Sequence, residues 1–405
     1  MNIKMRVISF CHYLQGPACS QYLADMGADV IKVEPLQGAF ERHWSGGRSY
    51  VNGVSAFSLA VNRNKRSIAL NLKTPEGLAI ARDLVASADV VVENYRPGVL
   101  ERLGLGYEDA RKLNPAIIYA SASGLGATGP AATRPGQDLL MQARSGLAAV
   151  TGGGEDGPVA VGAAVVDQHG GSLLAMGILG AFVRRLQTGK GTRVESSLFA
   201  AGIDLQAEAL TKYYAAPNRT ALLKRGRNVG SWYHDAPYGL YRLADTHIVL
   251  SMNDPTKLAA ALGSDELRDI SMIDRYAERD RYAEVVARVL AAFDYATVAA
   301  RFDAHGIWYE RVQDYEDLRH DPQAIHNGTF QEVDIGGETA TLIAHPLRYD
   351  GLTPTPGKLP IEPGADTLEI LGELGLSSAR QAELVEAGIV GVPAAQEPSE
   401  KHSSR

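Results

Sequence analysis

The sequence predicts an α/β protein: a parallel sheet covered by helices on both faces, with a second, smaller domain fed from the middle of the chain. Three observations predict this. Short apolar runs alternate with helix-like segments through the first half. A polar stretch from Asn218 to Ser231, with four basic residues and three glycines, breaks that rhythm and marks a linker. Strand-like, proline-rich segments such as "HPLRYDGLTPTPG" resume after about residue 330, so both chain ends serve one large domain.

Taken in order, Val7 to Phe10 is the first strand, and a helix carrying Pro17 in its first turn follows through Met26. Val30 to Glu34 and Ser67 to Leu72 are the next strands. Thr74-Pro75-Glu76 combines a hydroxyl cap, a first-position proline and an acid, and so starts a helix that runs to about Ala86. Val90 to Val92 and Ala116 to Ala120 are further strands. Gly170 to Gln187 is a long apolar helix stopped by Thr188-Gly189-Lys190-Gly191. Tyr238 to Ser251 alternates like a strand or hairpin, and helical patterns dominate from Thr256 to Phe302. The expected division is a large domain over 1–205, a linker over 206–227, a small domain over 228–325, a return to the large domain over 326–392, and a disordered polar tail over 393–405.

The 405 residues are 45% hydrophobic, enough for one large or two ordinary domains with real cores. A net charge of −7 argues against a nucleic-acid-binding face. Two cysteines, Cys11 and Cys19, give no disulfide framework. No signal-peptide core and no membrane-length apolar run is found, so the expectation is a soluble cytoplasmic protein with no membrane partner. Gly124, Gly126 and Gly129 form a literal G-x-G-x-x-G behind a strand. A dinucleotide turn must open a helix, whereas Pro130, Pro135 and Gly136 make this stretch a loop. It is read as a turn that merely matches the pattern.

Ordered blocks carry a broader likeness. "GPACSQYLADMGADVIKVEP", "NRNKRSIALNLKTPEGLAIARDLVASADVVVENYRPGVLERLGL", "GLGATGP" and "GAAVVDQHGGSLLAMGILGAFVRRLQTGKGTRVESSL" together resemble the class III CoA-transferases, the family of formyl-CoA transferase and carnitine CoA-transferase. "HDAPYGLYRLADTHIVLS" fits more loosely. The resemblance implies a Rossmann-like large domain, a smaller central α+β domain and an interlocked homodimer with the active site at the domain and subunit interface. It implies an acyl-CoA and a carboxylic acid as substrates, coenzyme A as the carried group, and no metal. The nucleophile it implies falls on Asp167, within Gly162 to Gly171. Read from the residues alone, Asp167 is a good helix cap, and both roles can coexist.

A carboxylate suits CoA transfer because it is itself an acid. Attack on an acyl-CoA gives a mixed anhydride and CoA thiolate, the thiolate returns to form an aspartyl-CoA thioester, and the acceptor acid reverses the sequence. Gly170 and Gly171 are candidate sources of a positive helix end after the aspartate. His169 is read as a packing or hydrogen-bonding residue, since no base is needed. For CoA, the resemblance maps His12, Tyr13 and Gln15 after the first strand, Lys73 after the third, and Asn94 and Tyr95 after the fourth. Arg102 and Arg134 are either phosphate partners or surface charges. Trp44 and Trp232 either wall an acyl pocket or belong to the core, and His234 and Asp235 either face the acyl group or form a turn before Pro237.

Two departures bear on the substrate. The related 2-methylacyl-CoA racemases carry Gly-His-Asp where this chain has Gly136-Gln137-Asp138, and glutamine is no base. The glycine run of formyl-CoA transferase is missing from "GRNVGSWYHDAPYG", which speaks against formyl-CoA and oxalate. A racemase or epimerase and a non-catalytic CoA-binding relative stand as alternatives at this point.

Overall fold

A computed structural model describes residues 3–152, 157–217, 223–359 and 361–394. The part of the expected linker at 218–222 and of the expected tail at 395–405 lies outside the described residues. The chain divides into two compact units. The first comprises 1–141, 164–202 and 322–405; the second comprises 142–163 and 203–321.

The first unit is built on a seven-stranded sheet. Its strands are β1 (Arg6–Phe10), β2 (Asp29–Glu34), β5 (Arg66–Leu70), β6 (Val90–Glu93), β7 (Ile118–Ser123), β8 (Thr192–Ser197) and a short β14 (Val390–Gly391). Between β2 and β5 the chain makes the small β3–β4 ribbon (Tyr50–Val51 and Val54–Ser55). The spatial order is β14-β5-β2-β1-β6-β7-β8, and every pairing is parallel except that of β14 with β5. The six parallel strands thus follow the order 3-2-1-4-5-6 of doubly wound sheets, with the switch point between β1 and β6. Val90, Val91 and Val92 are fully buried because helices cover both faces, which is why β6 reads as a solid apolar run rather than an alternation.

Local sequence starts the helix after β5. Thr74 Oγ1 accepts the Gly77 N–H at 3.1 Å with Pro75 in the first turn, opening the helix Pro75–Ser87. The helix Val165–Thr188 begins five residues before the expected Gly170, and its N-cap, Ala164, provides no side-chain bond. Its Asp167 is therefore not the cap but sits in the first turn.

That helix packs on the helix Gln15–Asp25 with almost no side chain between them. A Cβ on Gly171 would stand 2.9 Å from the Gln15 carbonyl oxygen and 3.3 Å from the Cys19 nitrogen. A Cβ on Gly170 would stand 2.7 Å from Gln15 Nε2. Beyond them, Leu174, Ala175 and Ile178 join Leu23, Ala24, Val7 and Ile118 in the core on that face of the sheet. The opposite face is closed by the helix Pro75–Ser87 and by Ile370, Leu371 and Leu384 from the chain's return. The return also supplies the ribbon β12 (Phe330–Ile335) and β13 (Glu338–Ile343), which packs on Leu59.

The second unit holds an antiparallel sheet of β9 (Gly239–Arg242), β10 (His247–Leu250) and β11 (Tyr309–Arg311), packed on helices including Arg279–Leu290 and Tyr295–His305. It takes in 142–163, a stretch the sequence reading counted with the large domain. The cause is a long-range anchor: Arg225 Nη2 donates to the carbonyls of Val150, Thr151 and Gly152, each at 3.1 Å.

The helix contact gives a stability prediction. Gly171→Val forces a side chain against backbone atoms and is expected to lower stability by about 1–3 kcal/mol. Gly180→Ala, in the same helix with open space around the new methyl, is expected to raise it by about 0.5–1 kcal/mol. Chemical denaturation of the two variants checks the contrast.

Candidate active site

The site is assembled from the loops that leave the carboxyl ends of the strands, on both sides of the switch point. After β1 the chain turns sharply at Tyr13, which holds a left-handed φ of 61°. Two buried groups and the half-buried Asn94 fix this strained turn. Lys32 Nζ donates to the Cys11 carbonyl at 2.7 Å and pairs with Glu41 at 2.7 Å. Glu41 in turn accepts the Tyr13 N–H at 3.3 Å. Asn94, leaving β6, accepts the His12 N–H at 2.9 Å and donates to the His12 carbonyl at 2.7 Å. Burial acts most strongly on Glu41 and would raise its pKa, but Lys32 outweighs it and the carboxyl stays below its usual value. Burial holds the His12 imidazole below its usual value.

This turn borders a cavity of about 730 Å³. Of the residues expected from sequence, His12, Tyr13, Gln15, Asn94, Tyr95, Arg134 and Asp167 line it, together with Trp44. Lys73 and Arg102 are exposed and are not among its lining residues. Trp232 is buried in the second unit, and His234 there accepts or donates a 2.6 Å bond with Ser231 Oγ. The cavity also brings in residues the sequence reading missed: Phe40, Phe57, Arg96 and Asp138. Arg96 was legible beside Asn94-Tyr95. The two phenylalanines were not, because they sit on separate short helices and gather around Trp44 only in space.

One wall is an aromatic ledge. Tyr13 lies 4.8 Å from Phe40, and Phe40 stacks on Trp44 at 5.6 Å. Tyr13, Phe40 and Trp44 remain 43%, 43% and 49% exposed. Large apolar rings left this open offer a stacking surface for a planar ligand. His12 bridges Tyr13 to Tyr95, at 5.0 and 5.1 Å.

Asp167 forms the floor. The N–H of Gln15, first residue of its helix, donates to the Asp167 carboxylate. The side chain of Gln15 is buried, and its Nε2 has no hydrogen-bond partner among the described residues. Gly170 and Gly171 do not supply donors at a helix start as expected. They lie in the second turn and serve the close helix contact instead. Burial, and then the negative charge of Asp138, push the Asp167 carboxyl up to about 7 against the Gln15 N–H.

The glycine-rich stretch that matched a dinucleotide pattern is a loop on this cavity. Gly126 and Gly129 take φ of 102° and 96°, and Gly124 crosses Gly136 so closely that a Cβ on either would meet the other's Cα within 2.6 Å. Among the described residues no group of three or more His, Cys, Asp or Glu is arranged to hold a metal ion, and no helix is long and apolar enough to cross a membrane.

A doubly wound sheet with a half-buried carboxyl in a cavity beyond its strand ends defines an α/β enzyme-type site. The comparisons give the class. The model of CoA-transferase family III matches residues 4–367. The mouse succinyl-CoA:glutarate CoA-transferase is 33% identical over 91% of this chain and 85% of its own. A Fusarium pseudograminearum acyl-CoA transferase is 34% identical over 95% of this chain and 87% of its own. The crystal structure of a CaiB/BaiF family protein from Brucella suis superposes with a TM-score of 0.78 at 28% identity, over 91% of this chain and 98% of that one. The chain belongs to CoA-transferase family III and is an acyl-CoA:carboxylate CoA-transferase.

The raised carboxyl has a thermodynamic consequence. The unfolded aspartate ionises near the ordinary value of 3.8, whereas the folded one holds its proton to about 7. Between those values the folded state binds the extra proton, so this group costs stability increasingly as pH rises, and the cost levels off above about 7. Asp167→Asn removes that cost while keeping an acceptor for the Gln15 N–H. The variant is expected to match the wild type near pH 4 and to exceed it in melting temperature at pH 8. Paired melting curves over that range check it.

Proposed function

We propose that the enzyme transfers CoA through an aspartyl-CoA thioester on Asp167. The observation that carries this is a half-buried carboxyl that lines one cavity together with Gln15, whose Nε2 has no partner among the described residues, and an open aromatic ledge.

The sequence of steps follows from that geometry. The Asp167 carboxylate attacks the thioester carbon, the C–S bond breaks, and the charge leaves Asp167 with the CoA thiolate. The oxyanion formed on the way would satisfy Gln15 Nε2 and compete for the Gln15 N–H, donors aimed from a fixed helix start. The thiolate then attacks the aspartyl carbonyl and releases the donor acid. The acceptor acid attacks the resulting thioester, and CoA returns to the new acyl group. Each stage exchanges one carboxylate or thiolate for another, so no proton transfer is required.

CoA fits the cavity's chemistry. Tyr13, Phe40 and Trp44 offer a stacking surface for adenine, and Arg96 and Arg134 are cations on the rim for phosphates. Asn94 acts mainly by holding His12 rather than by touching CoA. Lys73 and Arg102 stand as outer contacts at most. Gln137 lines the cavity beside Asp138 and carries no base, which favours transfer over exchange of an α-proton. By likeness to the family, we propose an interlocked homodimer. The name of the mouse relative, a succinyl-CoA:glutarate CoA-transferase, makes a small dicarboxylic acid the first acceptor to try.

Asp167→Ala is expected to lower transfer by at least about a thousandfold while CoA still binds with near wild-type affinity. An exchange assay with succinyl-CoA, acetyl-CoA and a pool of acids, read by mass spectrometry, checks the first; calorimetry with CoA checks the second. Full transfer activity in the variant overturns the role given to Asp167.

A further inference from the structure

The helix that carries Asp167 has no cap of its own, and its missing cap is provided from 28 residues upstream. Asp138 Oδ1 accepts the Val166 N–H at 2.8 Å and the Asp167 N–H at 3.0 Å. An uncapped helix leaves its first N–H groups without partners, and one carboxylate oxygen here serves two of them. One of the two is the backbone of the nucleophile candidate itself. The segment bearing Asp138 is in turn fixed by the crossing of Gly124 and Gly136, where the two backbones touch without side chains.

A neutral acceptor would cap as well. What a carboxylate adds is charge, and this charge faces a second carboxylate in the same cavity. We propose that Asp138 is a positioning residue with two effects: it fixes the turn that aims Asp167, and its charge destabilises the Asp167 carboxylate relative to the acylated, neutral forms of Asp167. In the first step the bond from Asp167 Oδ to the acyl carbon forms, the C–S bond breaks, and the electron pair leaves on sulfur. Negative charge thereby moves away from Asp138. Repulsion that is present in the free enzyme and absent from the anhydride and the thioester favours the forward step.

The other titratable groups around the cavity are His12 and Tyr13 after β1, Tyr95 and Arg96 after β6, and Arg134 in the glycine-rich loop. His169 follows on the same helix. None of these is among the influences on Asp167, which are burial, the Asp138 charge and the Gln15 N–H.

The proposal rests on the reading of Asp167 as the nucleophile, so its test reads the adduct directly. Wild type, Asp138→Asn and Asp138→Ala are mixed with succinyl-CoA from pH 5 to 9. The initial rate of CoA attachment to the peptide containing Asp167 is followed by mass spectrometry. In the wild type the rate is expected to rise with pH through a midpoint near 7. Asp138→Asn keeps the two backbone bonds and loses the charge; its midpoint is expected to fall by about one unit, with a lower plateau rate. Asp138→Ala is expected to show the same lowered midpoint with a plateau reduced further, because the cap is lost as well. Melting curves and CoA affinity confirm that each variant is folded. An unchanged midpoint in folded Asp138→Asn overturns the charge effect and leaves a cap alone. A folded Asp138→Ala with the plateau of Asp138→Asn overturns the positioning effect. No adduct in the wild type, in the presence of transfer activity, overturns instead the assignment of Asp167.

Discussion

Two helix starts meet in this fold with no side chain between them, and the site depends on that contact. Gly170 and Gly171 let the helix Val165–Thr188 lie against Gln15, Ala18 and Cys19 at distances that any Cβ would forbid. The approach puts the Gln15 N–H on the Asp167 carboxylate, while the Gln15 Nε2 is buried without a partner among the described residues. A wider helix spacing would separate the carboxyl from the Gln15 N–H.

Around that contact the chain spends buried polar groups on rigidity. The turn after β1 is held at its carbonyl by Lys32, at His12 by Asn94 and at Tyr13 by Glu41. Each bond is to backbone, so each fixes geometry regardless of which ligand enters. Tyr13 keeps a left-handed conformation that an isolated tyrosine avoids, and its ring is delivered to the exposed ledge with Phe40 and Trp44. Strain at the rim and a charge-opposed carboxyl at the floor are stored features of one preorganised cavity, offset by the well-packed sheet beneath.

Much of this was legible in the sequence where the physics is local. The buried strands Val7–Phe10 and Val90–Val92 read as apolar runs, and Thr74-Pro75 announced its helix, because burial and capping act within a few residues. Asp167 was found through ordered blocks rather than its own surroundings, which read as a cap. The true cap lay far upstream at Asp138, so the helix began earlier than its local composition suggested. Phe40 and Phe57 stayed hidden for the same reason: they sit on separate short helices that gather around Trp44, which leaves no spacing to read. The capture of 142–163 by Arg225 is likewise a contact between distant segments.

The central claim is that the carboxyl of Asp167 takes the acyl group and then CoA. It is tested most directly by following oxygen. Transfer is run from succinyl-CoA to an acceptor acid with ¹⁸O in both carboxyl oxygens, and the Asp167 peptide is weighed after several turnovers. Passage through an anhydride leaves one acceptor oxygen on the aspartate at each cycle, so the account predicts a peptide carrying ¹⁸O. Product formed at the normal rate with an unlabelled Asp167 peptide would contradict it.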